Sequence, residues 1–426
     1  MNNLVRSTLL NEEYQLIKHK SGLDIYVFPK NLSVSYAIIA AKFGSVDNCF
    51  KIGNDPDWIR IPDGTAHFLE HKMFENADGE DTFIKFSRTG ADANAFTSFR
   101  DTAYLYSCTE NLYESLEILL KSTFEPYFTK ENVKKEQGII AQEIRMGEDD
   151  PGDTLFRDLL CCLYEKSSLR LDIAGSVESI SKITPEILYN CHQAFYNPQN
   201  MILCVCGQAE TQPVLSVVNR VLSDSKPIPV QSYYETELPE AFQKRSERKM
   251  KISKPLFCIG VKDIDISDSA DERMRKYAAM QIIASVYFGK SSEFHNRLYS
   301  DGLISPSFSC WIQHNRAFSF FTLSGDSKDP EQIFDAFCSY TQKITSESLI
   351  NEDFERCRRV LYSHFVRLFD STEEIANALA ADFAIDGGNI FKYGDILNEI
   401  TREYTEKILK SFFLPSSFAM SVIRPL

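Results

Sequence analysis

Apolar residues along this chain recur in two rhythms. Dense short runs from Leu23 to Pro29 and from Val34 to Lys42 predict strands, joined around Lys30-Asn31-Leu32 as an opening hairpin. Ala93 to Thr97 and Thr102 to Cys108 predict two more, connected through Ser98-Phe99-Arg100-Asp101, and Asn200 to Gly207 predicts another. Spacings of three and four predict helices at about Asp81 to Arg88, stopped by Gly90, then Leu112 to Phe124 and Lys130 to Met146, with Glu148-Asp-Asp-Pro-Gly152 as the break. Further helical sequence carries Pro185 in a favourable first turn. In the helix from Lys130, the residues Val133, Glu136, Ile140, Glu143 and Gly147 fall on the stripe expected to face a core, and two of them are acids. Carboxylates seldom occupy such positions unpaired, so the stripe either serves a buried site or is an acidic solvated face.

From about Ser223 to Glu247, Pro227, Pro229, Pro239 and many polar residues mark a linker. The expected division is therefore 1–225, a linker at 226–247, and 248–426. Beyond the linker the order of elements recurs: a strand at Leu256 to Val261, a helix at Glu272 to Phe288, a strand at Phe318 to Leu323, a helix at Asp353 to Phe369, and a closing strand at Ser417 to Val422. Asp370 to Glu374 reads as a helix start and Asp386-Gly387-Gly388-Asn389 as a turn. At residue level, Ile183 to Val205 aligns without gaps on Ile400 to Val422, with Ile, Thr, Glu, Phe, Pro and Val coinciding at an offset of 217 residues. The same offset carries His67 onto Ala284. An ancient duplication explains this better than two unrelated amphipathic helices that each run into a strand.

The chemistry concentrates at Thr65-Ala-His-Phe-Leu-Glu-His-Lys-Met-Phe-Glu75. On a helix, His67 and His71 share a face with Cβ atoms about 5–6 Å apart, so both imidazoles can meet one ion, with Glu70 beside them. Asp63-Gly64-Thr65 supplies turn and N-cap chemistry, and Ala66, Phe68, Leu69, Met73 and Phe74 give the helix enough apolar surface to be buried. Burying two histidines and a glutamate there is costly unless something binds them. The order His-x-x-Glu-His is the inverse of the commoner zincin motif, and a zinc site of this kind needs a third protein ligand. Spacing leaves Glu136 and Glu143 both open for that place.

His67-Phe-Leu-Glu70-His71, followed by Glu136-Gln-Gly-Ile-Ile-Ala-Gln-Glu143, resembles the pitrilysin/insulysin family of zinc metallopeptidases, in the shorter-chain branch that includes mitochondrial processing peptidases and bacterial homologues. The resemblance implies an α+β fold of two homologous domains, each an antiparallel-rich sheet packed with helices, forming half of a clamshell chamber. It implies zinc on His67, His71 and Glu143, Glu70 as general base, and Glu136 as a supporting acid. Asn94-Ala95-Phe96-Thr97 resembles the family's edge strand, which aligns a peptide by adding it to the sheet, and Phe74 matches a pocket position. One departure stands out. The family's second half usually carries an Arg and then a Tyr near a Gly-Leu pair, where both reach the substrate carbonyl. Anchored on Gly302-Leu303, those places fall here near Leu298-Tyr299 and near Ser305, with Arg297 and Tyr299 crowded on one element. The pair is missing from its expected places, which implies a homologous partner subunit that supplies it, in a heterodimer or with a second copy in a homodimer.

A length of 426 residues suits two domains, and 43% hydrophobic with 25% charged residues is an ordinary globular balance. The net charge of −14 argues against nucleic acid as a partner. Eleven scattered cysteines, without a Cys-x-x-Cys pair, read as reduced thiols and neither a disulfide framework nor a zinc ribbon. The start lacks the apolar core of a signal peptide and no run reaches spanning length, so a cytoplasmic protein without a membrane partner is expected. The expected function is a zinc-dependent endopeptidase acting on peptides enclosed in a chamber. A non-catalytic structural or interaction subunit of the same fold is the competing class, against which the intact ligand set argues, and the edge strand disfavours a hydrolase of non-peptide amides.

Overall fold

The computed structural model describes residues 2–53, 55–222, 228–385 and 387–426. The expected domain boundary at 225/226 and Asp386 of the expected turn lie outside the described residues. In chain order the strands are β1 (Asn2–Ser7), β2 (Glu12–Lys18), β3 (Asp24–Pro29), β4 (Ser35–Ala41), β5 (Cys49–Ile52), β6 (Ile59–Arg60), β7 (Asp92–Thr97), β8 (Thr102–Cys108), β9 (Met201–Gly207), β10 (Val230–Ser232), β11 (Arg245–Met250), β12 (Leu256–Asp263), β13 (Ser309–His314), β14 (Ser319–Asp326) and β15 (Phe418–Pro425). The helices that matter for the site are α1 (Thr65–Lys72), α2 (Thr82–Thr89), α3 (Leu112–Phe124), α4 (Lys130–Asp149) and α5 (Pro151–Leu163). The class is α+β, as expected.

Two compact units share the chain. The first holds Met1–Arg145, Leu171–Tyr234 and Arg367–Ile390; the second holds Met146–Arg170, Glu235–Val366 and Phe391–Leu426. They follow the two sequence halves except for one exchanged stretch each way. In the second unit α5 lies against β12 and β15, whereas in the first the helix Thr372–Ala384 lies against β4 and β9. Part of the expected linker is built into these sheets: β10 pairs with β5 in the first unit, and β11 pairs with β15 in the second.

The first unit's main sheet runs β1-β2-β3-β9-β4-β8-β7. The expected opening hairpin does not form. β3 and β4 are both strands, but β9 lies between them, parallel to β3 and antiparallel to β4. Every residue of β4 and β9 is buried, and strands so apolar belong in the middle of a covered sheet, where each needs two neighbours. The hairpin that does open the chain is β1–β2, polar and at the sheet's edge, where an ion pair of Arg6 with Glu13 joins its strands. β7 is the opposite edge.

The second unit's sheet runs β11-β15-β12-β14-β13, and its pairings repeat those of β3-β9-β4-β8-β7. β15 is parallel to β11 and antiparallel to β12, as β9 is to β3 and β4. The 217-residue offset maps the helix Pro185–Phe195 onto Arg402–Phe412 and its N-cap Thr184 onto Thr401, each threonine accepting a backbone N–H. It also maps the pair Thr97↔Thr102 of β7–β8 onto His314↔Ser319 of β13–β14. The duplication expected from one aligned stretch therefore extends to the order and direction of the strands.

Candidate metal centre

α1 begins where two backbones touch. Gly64, at its N-cap, has φ 87°, and a Cβ there would lie 2.3 Å from the Ala174 carbonyl oxygen. Only glycine tolerates both conditions. The Ser179 hydroxyl donates to the Asp63 carbonyl at 2.8 Å, and the Thr65 hydroxyl to that of Pro62 at 2.6 Å, so Thr65 closes the turn and does not cap the helix with its side chain. Ala66, Phe68, Leu69 and Met73 are buried, whereas Phe74 is half-buried, stacked on Phe83 at 4.3 Å and edge-on to Tyr104.

α4 is fixed beside α1 by its own apolar stripe, Val133, Ile140, Ala141 and Ile144, and by the Gln137 amide, which donates to the carbonyls of Ile180 and Ile183 at 3.2 Å. Glu136 is buried in that stripe, but Glu143 is not, which corrects the expectation of two core acids: its side chain is 49% exposed. The buried phase is 133, 136, 140, 144, so Glu143 stands one position off it, at the rim of the stripe. An acid there can reach a neighbouring side chain while keeping one face open.

The geometry gives the two acids different work. The Glu143 carboxylate spans the histidines, with Oε1 3.5 Å from His67 Nε2 and Oε2 3.5 Å from His71 Nε2. Glu136 lies behind, its Oε1 3.0 Å from His71 Nδ1. Among the described residues, the one group of three or more His, Cys, Asp or Glu side chains that could hold a metal is His67, His71 and Glu143, with ligand atoms all within 4.8 Å of one another. Zinc bonds of about 2.0–2.1 Å at tetrahedral angles set neighbouring ligand atoms roughly 3.4 Å apart, close to the separations here. Two imidazoles and a carboxylate are also a donor set that zinc accepts. Imidazole Nδ1 of His67 is buried without a hydrogen bond, leaving that ring's outward nitrogen as its functional end.

Charge reinforces the arrangement. Burial alone would lower the His71 pKa, but the hydrogen bond it donates to Glu136 and the charges of Glu143, Glu136 and Glu70 outweigh it and raise it. Burial would raise Glu136, yet His71 and Lys72 hold it below the usual carboxylate range. Glu143 is lowered by its contact with His67 against the effect of burial. Glu70 is buried on α1, and the Thr97 hydroxyl, at the end of β7, donates to its Oε2.

The expected substrate residues lie along one free edge. β7 pairs only with β8 in its sheet and packs beside α1; Asn94 and Phe96 are exposed and Ala95 is half-buried. Two residues that spacing did not single out join the site, Thr97 and Lys72. Thr97 appeared only as the last residue of the edge-strand resemblance, with no sign of its contact to Glu70, whereas Lys72 stands in the apolar stripe of α1. Arg297 and Tyr299 lie exposed on the helix Glu293–Ser300, and Ser305, at the expected tyrosine place, binds Asp326.

The profile of insulinase (peptidase family M16) matches residues 60–176, and that of the peptidase M16 inactive domain matches residues 182–361. A Bacillus subtilis (strain 168) protein named as an uncharacterized zinc protease, YmfH, is 36% identical over 399 residues, which cover 92% of each chain. The chain belongs to peptidase family M16. A Rickettsia felis protein, also named an uncharacterized zinc protease, is 27% identical over 51% of this chain and 52% of its own. The crystal structure of a protein described as an M16-like peptidase from Alicyclobacillus acidocaldarius shares 28% identity with a TM-score of 0.94, covering 99% of this chain and all of that one. A Helicobacter pylori protease has the same fold, with a TM-score of 0.83 at 18% identity over 97% of this chain and all of that one. Among the described residues of this M16 chain, no helix is long and apolar enough to cross a membrane.

Proposed function

We propose that this M16 chain is a zinc-dependent endopeptidase. The observation that carries the reading is the Glu143 carboxylate set 3.5 Å from both histidine Nε2 atoms, with ligand spacing that suits one zinc ion. Zinc bound there would polarise the scissile carbonyl and acidify the attacking water. His67, His71 and Glu143 would hold it, and Glu136 orients His71 by accepting from Nδ1–H, which leaves Nε2 free to ligate. Glu70 takes the proton of the attacking water and passes it to the leaving amine nitrogen. A peptide lies along β7 beside Asn94, Ala95 and Phe96 as an added strand, its backbone bonded to the outward-facing backbone groups of that edge and a side chain beside Phe74, so affinity comes without a sequence demand.

The finer reading includes a partner. With Ser305 committed to Asp326 and with Arg297 and Tyr299 on one exposed helix, the expected Arg/Tyr pair is absent from its places, so a homologous subunit supplies it and completes the chamber. The setting is cytoplasmic, and the two sequence halves at 1–225 and 248–426 are the ancestral domains.

Glu70→Gln is the decisive variant, because it keeps the side chain's size while removing the base. Zinc content should stay at about one per chain while peptide turnover falls by roughly 10²–10⁴-fold. An unchanged rate refutes the mechanism; a wild-type chain that binds no zinc refutes the assignment and favours the non-catalytic subunit.

A further inference from the structure

The apolar stripe of α1 contains one residue that breaks its pattern. Thr65, Ala66, Phe68, Leu69 and Met73 are buried, and so is Lys72, whose side chain is 0% exposed. Lys72 follows His71 directly and so points about 100° round the helix from it, toward the side that Phe68 shares. A lysine fully removed from water in such a place is costly unless carboxylates meet it. Two do. Its ammonium lies 2.7 Å from Glu75 Oε1 and 3.8 Å from Glu136 Oε2.

The Glu136 contact joins Lys72 to the metal centre. One oxygen of Glu136 faces Lys72 and the other is 3.0 Å from His71 Nδ1. The carboxylate therefore has a charged or polar neighbour at each end: the imidazole of residue 71 at hydrogen-bond distance, and the ammonium of residue 72 as an ion pair at 3.8 Å, whose Nζ is buried without a hydrogen bond. Glu70, Glu75, Glu136 and Glu143 bring four carboxylates to this part of the unit, and Lys72 is the buried cation set among them. Outer groups that orient a ligating histidine matter to metal affinity because a free ring must be ordered again each time the metal binds.

We infer that Lys72 is a positioning residue of the metal centre: it holds Glu136 so that Oε1 fixes His71 with Nε2 presented to the metal. The inference rests on the zinc reading above and concerns affinity, not the chemical step. Glu75, although nearer to the ammonium, touches neither histidine and acts as the second anchor of Lys72. Lys72 is thus the part of the site that lies in the core side of α1, and Glu136 is the link from it to the open side.

The test measures zinc affinity by competition with a chromogenic chelator on the full chain, with metal-free melting recorded alongside. Lys72→Met should weaken zinc binding by about 10–100-fold, as loss of an outer-shell group does, and Lys72→Arg should recover most of it. In a Glu136→Gln background the Lys72→Met change should alter affinity by less than about threefold, because the link is already cut. Should Lys72→Met not fold, Lys72→Gln replaces it with the same expectations. Equal zinc affinity in wild type and the Lys72 variant overturns the inference, as does a full 10–100-fold further loss in the Glu136→Gln background. Wild-type chain that takes up no zinc sinks the underlying reading instead, so the two failures are distinct.

Discussion

Glu143→Gln and Glu136→Gln separate the acid proposed to hold the metal from the acid proposed to orient its ligand. Structural zinc sites bind with about 10–16 kcal/mol shared among four ligands, so losing one ligand costs roughly 3–4 kcal/mol, or 10²–10³-fold in affinity. Glu143 faces both Nε2 atoms at 3.5 Å and should show this larger loss. Of the two histidines Glu136 touches only His71, at Nδ1, and an outer partner of that kind is worth about 10–100-fold. Their effects on the metal-free fold should run in the opposite order. Half-exposed Glu143 should alter stability by less than about 0.5 kcal/mol, whereas buried Glu136 leaves His71 and Lys72 short of a charged partner and should cost about 1–3 kcal/mol. Chelator competition gives the affinities, and metal-free thermal melting gives the stabilities. If Glu136→Gln empties the site while Glu143→Gln retains full occupancy, the assignment of roles is wrong.

Thr97→Val removes the hydroxyl that donates to Glu70 and keeps the shape, so kcat should fall by about 10–100-fold with KM and zinc content unchanged; a kcat equal to wild type refutes a role for Thr97. In the second unit, burial, followed by the charges of Lys276 and Arg273, depresses the buried His314 to about 3. The fold prefers the neutral ring, so the unfolded chain gains the proton first and stability should fall as pH drops from 6.5 toward 3, by up to roughly 4 kcal/mol. Denaturant melts of wild type and His314→Gln should converge in that window, and parallel curves would contradict the assignment. The isolated chain should bind zinc yet cleave peptides about 10²–10³-fold more slowly than with a homologous subunit from the same genome. Full activity of the lone chain, undiminished in Arg297→Ala and Tyr299→Phe, excludes the partner.

Local chemistry was legible wherever a side chain commits to its own backbone. Asp81 caps α2 and Gly90 ends it with φ 77°, Asp150 caps α5 ahead of Pro151, and Ser371 caps the helix Thr372–Ala384, each at or beside the place its residue type indicates. Strand partners were not legible, because adjacency in the sheet depends on pieces far apart in sequence: β3 and β4 are separated by β9, some 160 residues later. The candidate histidine ligands stood out through spacing on α1, but period alone could not separate Glu136 from Glu143. Pattern gives a helix face to within a residue or so, and Glu143 lies one position off the buried phase. Lys72 was legible as a polar residue in an apolar stripe, yet its partner Glu136 sits on another helix, so its meaning required the fold.

The second unit shows what becomes of the same framework without the histidine motif. Thr97, which gives its hydroxyl to Glu70, corresponds to His314, and Thr102 corresponds to Ser319. The helix Ala270–Phe288 packs on β13 as α1 packs on β7, and at the offset of His67 it carries the buried Ala284. There Asp263 is paired with its neighbours, while His314 Nε2 is buried without a hydrogen bond. Ser319 donates to Asp263 at 2.8 Å and lies 2.8 Å from His314 Nδ1, Lys276 reaches Asp263 at 2.9 Å and Asp265 at 3.2 Å, and the buried Arg273 donates to the carbonyls of Ser267 and Asp268. A metal ion could enter only by displacing a lysine that already neutralises Asp263. In the first unit the reverse holds: the acids outnumber the nearby cation, the His67 and His71 Nε2 atoms share a carboxylate at 3.5 Å, and that carboxylate is half-exposed. Binding a divalent cation would relieve charge in one unit and break ion pairs in the other, which is a physical reason for the candidate metal centre among the described residues to lie in the first unit.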